Sequence, residues 1–448
     1  MSVTMVEMIT RLLENHKYTA LRDILTIMNE ADTAALLEDL SETEIPVLFR
    51  LLPKDRASDV FALMDSDSQE LLIKGFSDSE LKEVLDELYV DDTADLIEEM
   101  PANVVKRILA NTDPEKRNII NDILKYPEDS AGSLMTIEYI SLRPNMTVSD
   151  AIKRIRRTIT DKETIYTCYV TDDDRRLLGY ISVRTLLLAD TNSIIRDIMD
   201  DTVICVSTTE DKEKVAKKMS HYNFVTMPVV DAENRLVGIV TFDDAIDVMQ
   251  EETTEDIKMM AAIAPNEESY FKTSDFKHAK TRIVWLLILM LSAAITGGII
   301  NGYEESFSAV PILVSFIPML MGTGGNCGSQ SSTLVIRGMA IDEIKKGDFF
   351  KVVWVEFRVS LLLSVALALI NGLRILIMYH DPTLALIIAL SIVGIVIMSE
   401  MIGCMLPMLA RRLHMDPAVM AAPLITTIVD ACSILIYFNI ACHFISIA

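Results

Sequence analysis

The chain has 448 residues, half of them hydrophobic, and a formal net charge of −24 at pH 7. That length exceeds what one core ordinarily serves, so several modules are expected, and so acidic a chain is not expected to take nucleic acid as a partner. The charge is uneven: residues 1–276 carry −25, whereas residues 277–448 carry about +1.

The opening stretch "MSVTMVEMITRLLENHKYTALRDIL" spaces its apolar residues as a helix does and intersperses charges among them. No signal peptide is read there, and a cytosolic N-terminus is expected. Six scattered cysteines (Cys168, Cys205, Cys327, Cys404, Cys432 and Cys442) form no CxxC pair, so neither a disulfide framework nor a zinc site is predicted. Residues 1–128 read as an all-α helical-repeat N-domain. "TAALLEDL" (33–40) resembles "TADLIEEM" (93–100) and, more loosely, "RASDVFALMD" (56–65), with turn signals such as Pro53 and "DSDS" (65–68) between the apolar runs.

Residues 129–250 hold an α/β duplication. "VTDDDRRLLGYISVRTLL" (170–187) matches "VVDAENRLVGIVTFDDAI" (229–246) at an offset of 59, aligning Asp172 with Asp231, Gly179 with Gly238 and Ser182 with Thr241. Each copy follows a methionine segment ("SLMT", "DIMD") and a helical stretch. Two such units in register resemble a tandem pair of CBS domains, a module that packs pairwise and often binds nucleotides or other small regulators. A polar linker helix is expected over 251–281.

Residues 282–448 read as a five-span α-helical transmembrane domain, with spans near 283–303, 309–336, 354–378, 384–409 and 419–446. Lys277, Lys280 and Arg282 precede the first span, Arg337, Lys345, Lys346 and Lys351 fill the loop after the second, and Arg411 and Arg412 follow the fourth. The loops "NGYEES" and "YHDPT" have no Lys or Arg, so the positive-inside rule sets the C-terminus outside a bacterial-type inner membrane.

The second span contains "GTGGNCGSQ" (322–330), flexible and polar material where hydrocarbon is expected. A small-residue packing face would account for Gly322 and Gly325, but Asn326, Ser329, Gln330, Ser331, Ser332 and Thr333 bring more hydrogen-bonding capacity than lipid tolerates. The glycines are expected to break or crowd this helix so that Gly325, Asn326 and Gln330 face a watery path. No Lys-Ser/Thr follows, which argues against a phosphate loop. The fifth span carries Asp430 near its middle with Thr426 and Pro423 on the same face. An ionised intramembrane carboxylate needs water, a cation or a partner, and so marks a functional position. Glu400 in the fourth span ranks second, as a packing or entrance residue. Hard oxygen donors without His or thiolate clusters suit Mg²⁺, which keeps several waters and needs only one or two carboxylates. Five spans are few for a pore, which favours a homodimer.

"PxxxxxxPxxxGTGGNxGxQ" (311–330) and "DPAVMAAPLITTIVDA" (416–431) resemble the MgtE family of magnesium channels or transporters, and the order of modules is similar along essentially the whole chain. The resemblance implies a homodimer whose second and fifth spans line the path, with Asp430 the main ion-binding residue. Ala422 stands where some members carry Asn, which removes a side-chain ligand. The resemblance also implies several regulatory Mg²⁺ sites that close the path when cytosolic Mg²⁺ is high. It places them on Asp91, Asp95, Asp211, Glu213, Asp244, Asp247, Glu252, Glu255 and Asp256, with Asn223 replacing an acid. The acidic series at the end of the duplication fits this, since cations would relieve repulsion between such faces, although a solvated helix face is the ordinary meaning of a charge run.

No enzyme is expected and no Walker motif is present. Two charges crossing about 100 mV gain roughly 4.6 kcal/mol, enough to drive uptake without ATP; ATP or another adenine nucleotide in the CBS cleft would be a regulator. The expectation is a Mg²⁺-selective, Mg²⁺-gated channel. Two readings stay open beside it: an exchanger coupling Mg²⁺ to Na⁺ or H⁺, weakened by the lack of a second buried acid cluster, and a membrane-anchored nucleotide sensor that transports nothing.

Overall fold

The computed structural model describes residues 3–159, 162–264, 270, 273–303, 310–420 and 422–444. They form two compact units, Met1–Gln250 and Glu251–Ala448. The expected outer loop at 304–309, the linker at 265–269 and 271–272, and the fifth span at 421 and 445–446 lie outside the described residues.

In the first unit, short helices follow one another from Val3–Glu14 to Pro114–Ile123 around a shared core that includes Leu36, Leu48, Phe61, Leu72, Leu85 and Ile108. The expected repeat reappears in structural detail. Thr33 and Thr93, both fully buried, each return a hydroxyl to the carbonyl four residues back, Asn29 at 2.8 Å and Tyr89 at 2.7 Å. A second device also recurs. Helix C-termini leave carbonyls without intrahelical partners, and cations from a later helix reach back to them: Arg56 to Thr26 and Met28, Arg107 to Ile73 and Phe76, Lys116 to Leu85 and Leu88. Each reach spans about one pair of helices, so the cations fasten successive layers of the stack.

The duplication folds as two three-stranded sheets, β1 (Ile140–Leu142), β2 (Thr167–Thr171) and β3 (Leu177–Ser182), then β4 (Val206–Ser207), β5 (Thr226–Val230) and β6 (Leu236–Thr241). In each sheet the first pair is parallel and the second antiparallel. The registers correspond: Val170 opposes Gly179 and Val229 opposes Gly238, each followed by an irregularity. In both hairpins an aspartate, Asp172 or Asp231, accepts from two backbone amides and closes the turn. The methionine segments pass across these glycines. A Cβ on Gly179 would stand 2.6 Å from the Asp200 oxygen, and one on Gly238 would stand 2.8 Å from the Thr136 oxygen.

The Phe242–Met260 helix runs through the boundary between the units. In the second unit the next helix begins at Asp275, not after the expected linker, and continues unbroken to Gly302; residues 275–281 are therefore its first turns. Among the described residues, four helices have the length and apolarity to cross a membrane: Asp275–Gly302, Phe349–Tyr379, Pro382–Arg412 and Pro417–Phe444. Five spans were expected. The missing one, Ile317–Ala340, has 24 residues and is long enough, but its glycine and hydroxyl content lowers its apolarity. In chain order, Asp275–Gly302, Ile317–Ala340, Phe349–Tyr379, Pro382–Arg412 and Ala422–Phe444 are numbered here as helices one to five.

Candidate ion path and acidic cluster

Helix two selects one of the two expected alternatives. "GTGGNCGSQ" does not break the backbone, which stays α-helical from Ile317 to Ala340; the irregularity lies earlier, in the 3₁₀ turn Pro311–Phe316, where Pro311 and Pro318 sit at helix starts. The glycines crowd the helix against its neighbours. A Cβ on Gly403 of helix four would stand 2.3 Å from the Gly328 oxygen, and one on Gly324 would meet Ile395 and Ser433 at 2.8 Å. Helices two and four therefore touch backbone to backbone, and side chains of helix five pack directly on the helix-two backbone.

This closeness builds the membrane site. A Cβ on Gly325 would lie 3.1 Å from Thr426 Cγ2 and 4.0 Å from Asp430 Oδ1, so the missing side chain leaves the space in front of the carboxylate. Asp430 is half-buried, and no hydrogen bond or ion pair engages its carboxyl among the described residues. Thr426 and Thr427 both donate to the Pro423 carbonyl at 2.9 Å. Their protons are thus committed and their oxygens are left as acceptors. Asn326 and Gln330, four residues apart, share an exposed face of helix two, whereas Gly324, Gly325 and Gly328 are buried. The side chain of Ala422 lies outside what is described.

In the first unit, the Val90–Glu99 helix presents Asp91 and Asp95 toward Asp244. Burial first, then Asp92, Asp244, Glu163 and Glu138, push the Asp91 carboxyl well up. Asp95 is pushed to about 7 by the surrounding protein and by Asp244 and Asp92, although its side chain keeps solvent exposure. Asp244 rises to about 6 through burial, with Asp243 and Asp92 adding to it against a bond from Thr241. Sequence reasoning missed Asp92, Glu138, Glu163 and Asp243. Glu163 rises to about 8 by burial and by Asp92, Asp243 and Asp244. Its only sequence signal was an isolated acid before a strand. Lys116 feels these charges but spends its ammonium on Leu85 and Leu88 carbonyls.

Two oxygens here, Asp91 Oδ1 and Glu163 Oε2, are enclosed and without a partner. Burying such atoms is costly unless something binds them, and an all-oxygen, strongly anionic set fits a hard divalent cation. The remaining expected ligands do not join this group as one set. Glu213 pairs with Lys217 at 2.5 Å, and Asp211 caps its helix by accepting from the Lys214 amide at 3.2 Å. Asp247 has Asp243 as its charged neighbour. Glu252, Glu255 and Asp256 are half-buried on the continuation of the Phe242–Met260 helix, in the second unit. Asn223 takes the left-handed position that ends its helix, at φ 54°, a conformation Asn tolerates well. Among the described residues, no three His, Cys, Asp or Glu side chains already stand in a coordinating arrangement.

The MgtE intracellular N domain model matches residues 28–129, the CBS domain model matches 131–192 and 195–251, and the MgtE model, described as a divalent cation transporter, matches 317–440. The magnesium transporter MgtE of Thermus thermophilus is 37% identical over 428 residues, covering 94% of both chains. This chain belongs to the MgtE family of magnesium transporters. The MgtE of Bacillus subtilis is 30% identical and covers 99% of both chains. The cytosolic domain of the Mg²⁺ channel MgtE, solved in complex with ATP, is 38% identical with a TM-score of 0.52, and covers 54% of this chain and 99% of its own.

Proposed function

We propose that this member of the family forms a Mg²⁺-selective path through a plasma (inner) membrane, as a homodimer, opened and closed by cytosolic Mg²⁺ and driven by the membrane potential. The observation that carries the reading is the unpartnered Asp430 carboxylate facing the side-chain-free gap at Gly325. A hydrated Mg²⁺ keeps its inner waters and needs outer-sphere acceptors in a roomy site. Asp430, the Thr426 oxygen and the amides of Asn326 and Gln330 supply such groups, with the Pro423 carbonyl holding the Thr426 and Thr427 hydroxyl protons. The exposed polar face of helix two is costly against lipid, and a second copy across a two-fold axis would cover it and bring a second Asp430 to the path. The first unit lies on the cytosolic side in this arrangement, with the C-terminus outside.

The sensor is the cluster around Asp91, Asp92, Asp95, Glu163 and Asp244, together with Asp211, Glu213, Asp247, Glu252, Glu255 and Asp256. Cations that bind the closed arrangement better than the open one shift the population only by that difference in affinity. The CBS pair would take ATP or another adenine nucleotide as a regulator, in the open cleft lined by Tyr166, Ser182, Val183, Arg184, Leu187 and Leu188.

The test is Mg²⁺ uptake into liposomes holding purified protein, comparing wild type with Asp430→Ala at low and high cytosolic-face Mg²⁺. Loss of flux in the variant and inhibition of wild type by Mg²⁺ support path and sensor. Equal flux in both proteins removes Asp430 from the path.

A further inference from the structure

The membrane unit contains a second acidic locus away from Asp430. Glu356 of helix three and Glu400 of helix four are neighbouring acids that meet at Ser331 of helix two. The Ser331 hydroxyl of helix two donates to Glu356 Oε2 at 2.8 Å and stands 3.3 Å from the Glu400 main-chain oxygen. Glu400 is 2% exposed. Among the described residues, no Lys, Arg or His bonds to either carboxyl; the other titratable groups facing them are the thiols of Cys327 on helix two and Cys404 on helix four. Beside this locus in the chain, the hydroxyls of Ser332 and Ser399 are enclosed and have no partner.

Two carboxylates are acceptors only and repel when brought together in a buried setting, and the single Ser331 proton between them is given to Glu356, so a proton on one acid relieves the pair. We propose that Glu356 and Glu400 form a proton-binding site, occupied by one shared proton that exchanges with the aqueous phase, and that this proton sets how readily the neighbouring path conducts. With the proton bound, one acid donates to one carboxylate and the three helices are tied at Ser331. When the proton leaves to water, two like charges stand in contact in a low-dielectric setting, where their repulsion is far stronger than in water. Ser331 has one proton to give and cannot satisfy both. The idle hydroxyls of Ser332 and Ser399 are donors of the type a newly formed carboxylate needs. Ser331 directly follows Gln330, so the rearrangement acts on the helix whose opposite face carries Asn326 and Gln330. Transport coupled to, or regulated by, protons is thereby open to this chain, against the sequence-based argument that it lacked a second buried acid pair.

The inference rests on the transport reading for its consequence but not for the proton itself, and two measurements keep these apart. Infrared difference spectra of the full-length protein in lipid should show the carbonyl band of a protonated carboxylic acid that is lost as pH rises, with the band absent in Glu400→Gln and in Glu356→Gln. Mg²⁺ flux in liposomes at equal pH on both sides should follow a one-proton transition in wild type and become flat with pH in either Gln variant, since a neutral amide replaces the titrating acid. If one variant fails to fold, the other carries the same test. A band unchanged by both substitutions overturns the proton site. Identical flux profiles in wild type and variants overturn its role in conduction. Absence of flux in every protein, with the band behaving as expected, would count against the transport reading alone.

Discussion

Replacing Asp244 by Asn should stabilise the first unit, and only above mildly acidic pH. Asp244 sits beside Asp243 and Asp92 and titrates near 6 in the folded chain, against an ordinary 3.8. A carboxyl whose folded pKa is raised binds its proton more tightly folded than unfolded. Its contribution is therefore neutral at pH below about 4, becomes a penalty that grows as pH rises from about 4 to about 6, and is complete above that. The rise from 3.8 to about 6 corresponds to at most about 3 kcal/mol. Asn keeps the acceptor oxygen that takes the Thr241 hydroxyl but has no charge to desolvate. For a unit of this size, 3 kcal/mol moves the melting temperature by about 6–12 °C. Thermal unfolding of residues 1–250 in chelator, at pH 4 and pH 8, checks this: a gain at pH 8 that vanishes at pH 4 is expected. Added Mg²⁺ should close the gap by stabilising wild type, by about 2.7 kcal/mol at a hundredfold excess over its dissociation constant. An Asn variant less stable than wild type at pH 8 in chelator would refute the reasoning, as would a gain independent of pH.

Other outcomes follow from the packing. Gly403→Ala forces a methyl against the Gly328 carbonyl, which is backbone and cannot swing away, and should cost at least about 1–3 kcal/mol in detergent melting. Gly297→Ala, where nothing lies within 4 Å, should be neutral or stabilising by up to about 1 kcal/mol through helix propensity. Arg107→Ala strips the Ile73 and Phe76 carbonyls of a charged donor and should lower unfolding free energy by roughly 1.5–3 kcal/mol. Asn326→Leu and Gln330→Leu, on the exposed face of helix two, should reduce Mg²⁺ flux severalfold while leaving melting unchanged; a fall in both would make them packing residues.

Several features were legible because they are local or repeated. Helical spacing, the acid-to-apolar division near residue 276 and the offset of 59 between the two α/β units all act through near neighbours or through copies of the same solution. The duplication returned with matched registers, Val170 to Gly179 and Val229 to Gly238. Asp430 stood out because a lone acid in an apolar run is conspicuous against its own surroundings. What only the tertiary structure decided was which distant groups meet. "GTGGNCGSQ" left open whether the helix breaks or crowds its neighbours, and it crowds them, as an unbroken helix whose glycines are matched by Gly403, Ile395 and Val429 on other helices. Glu163 and Asp92 joined Asp91 and Asp244, and Glu356 met Glu400 from another helix, although nothing in the segments of Glu163, Asp92 and Glu356 marks them. Periodicity reports which face of an element is apolar. The partner of a buried charge depends on long-range packing, where the cost of an unpaired carboxyl is set by everything around it.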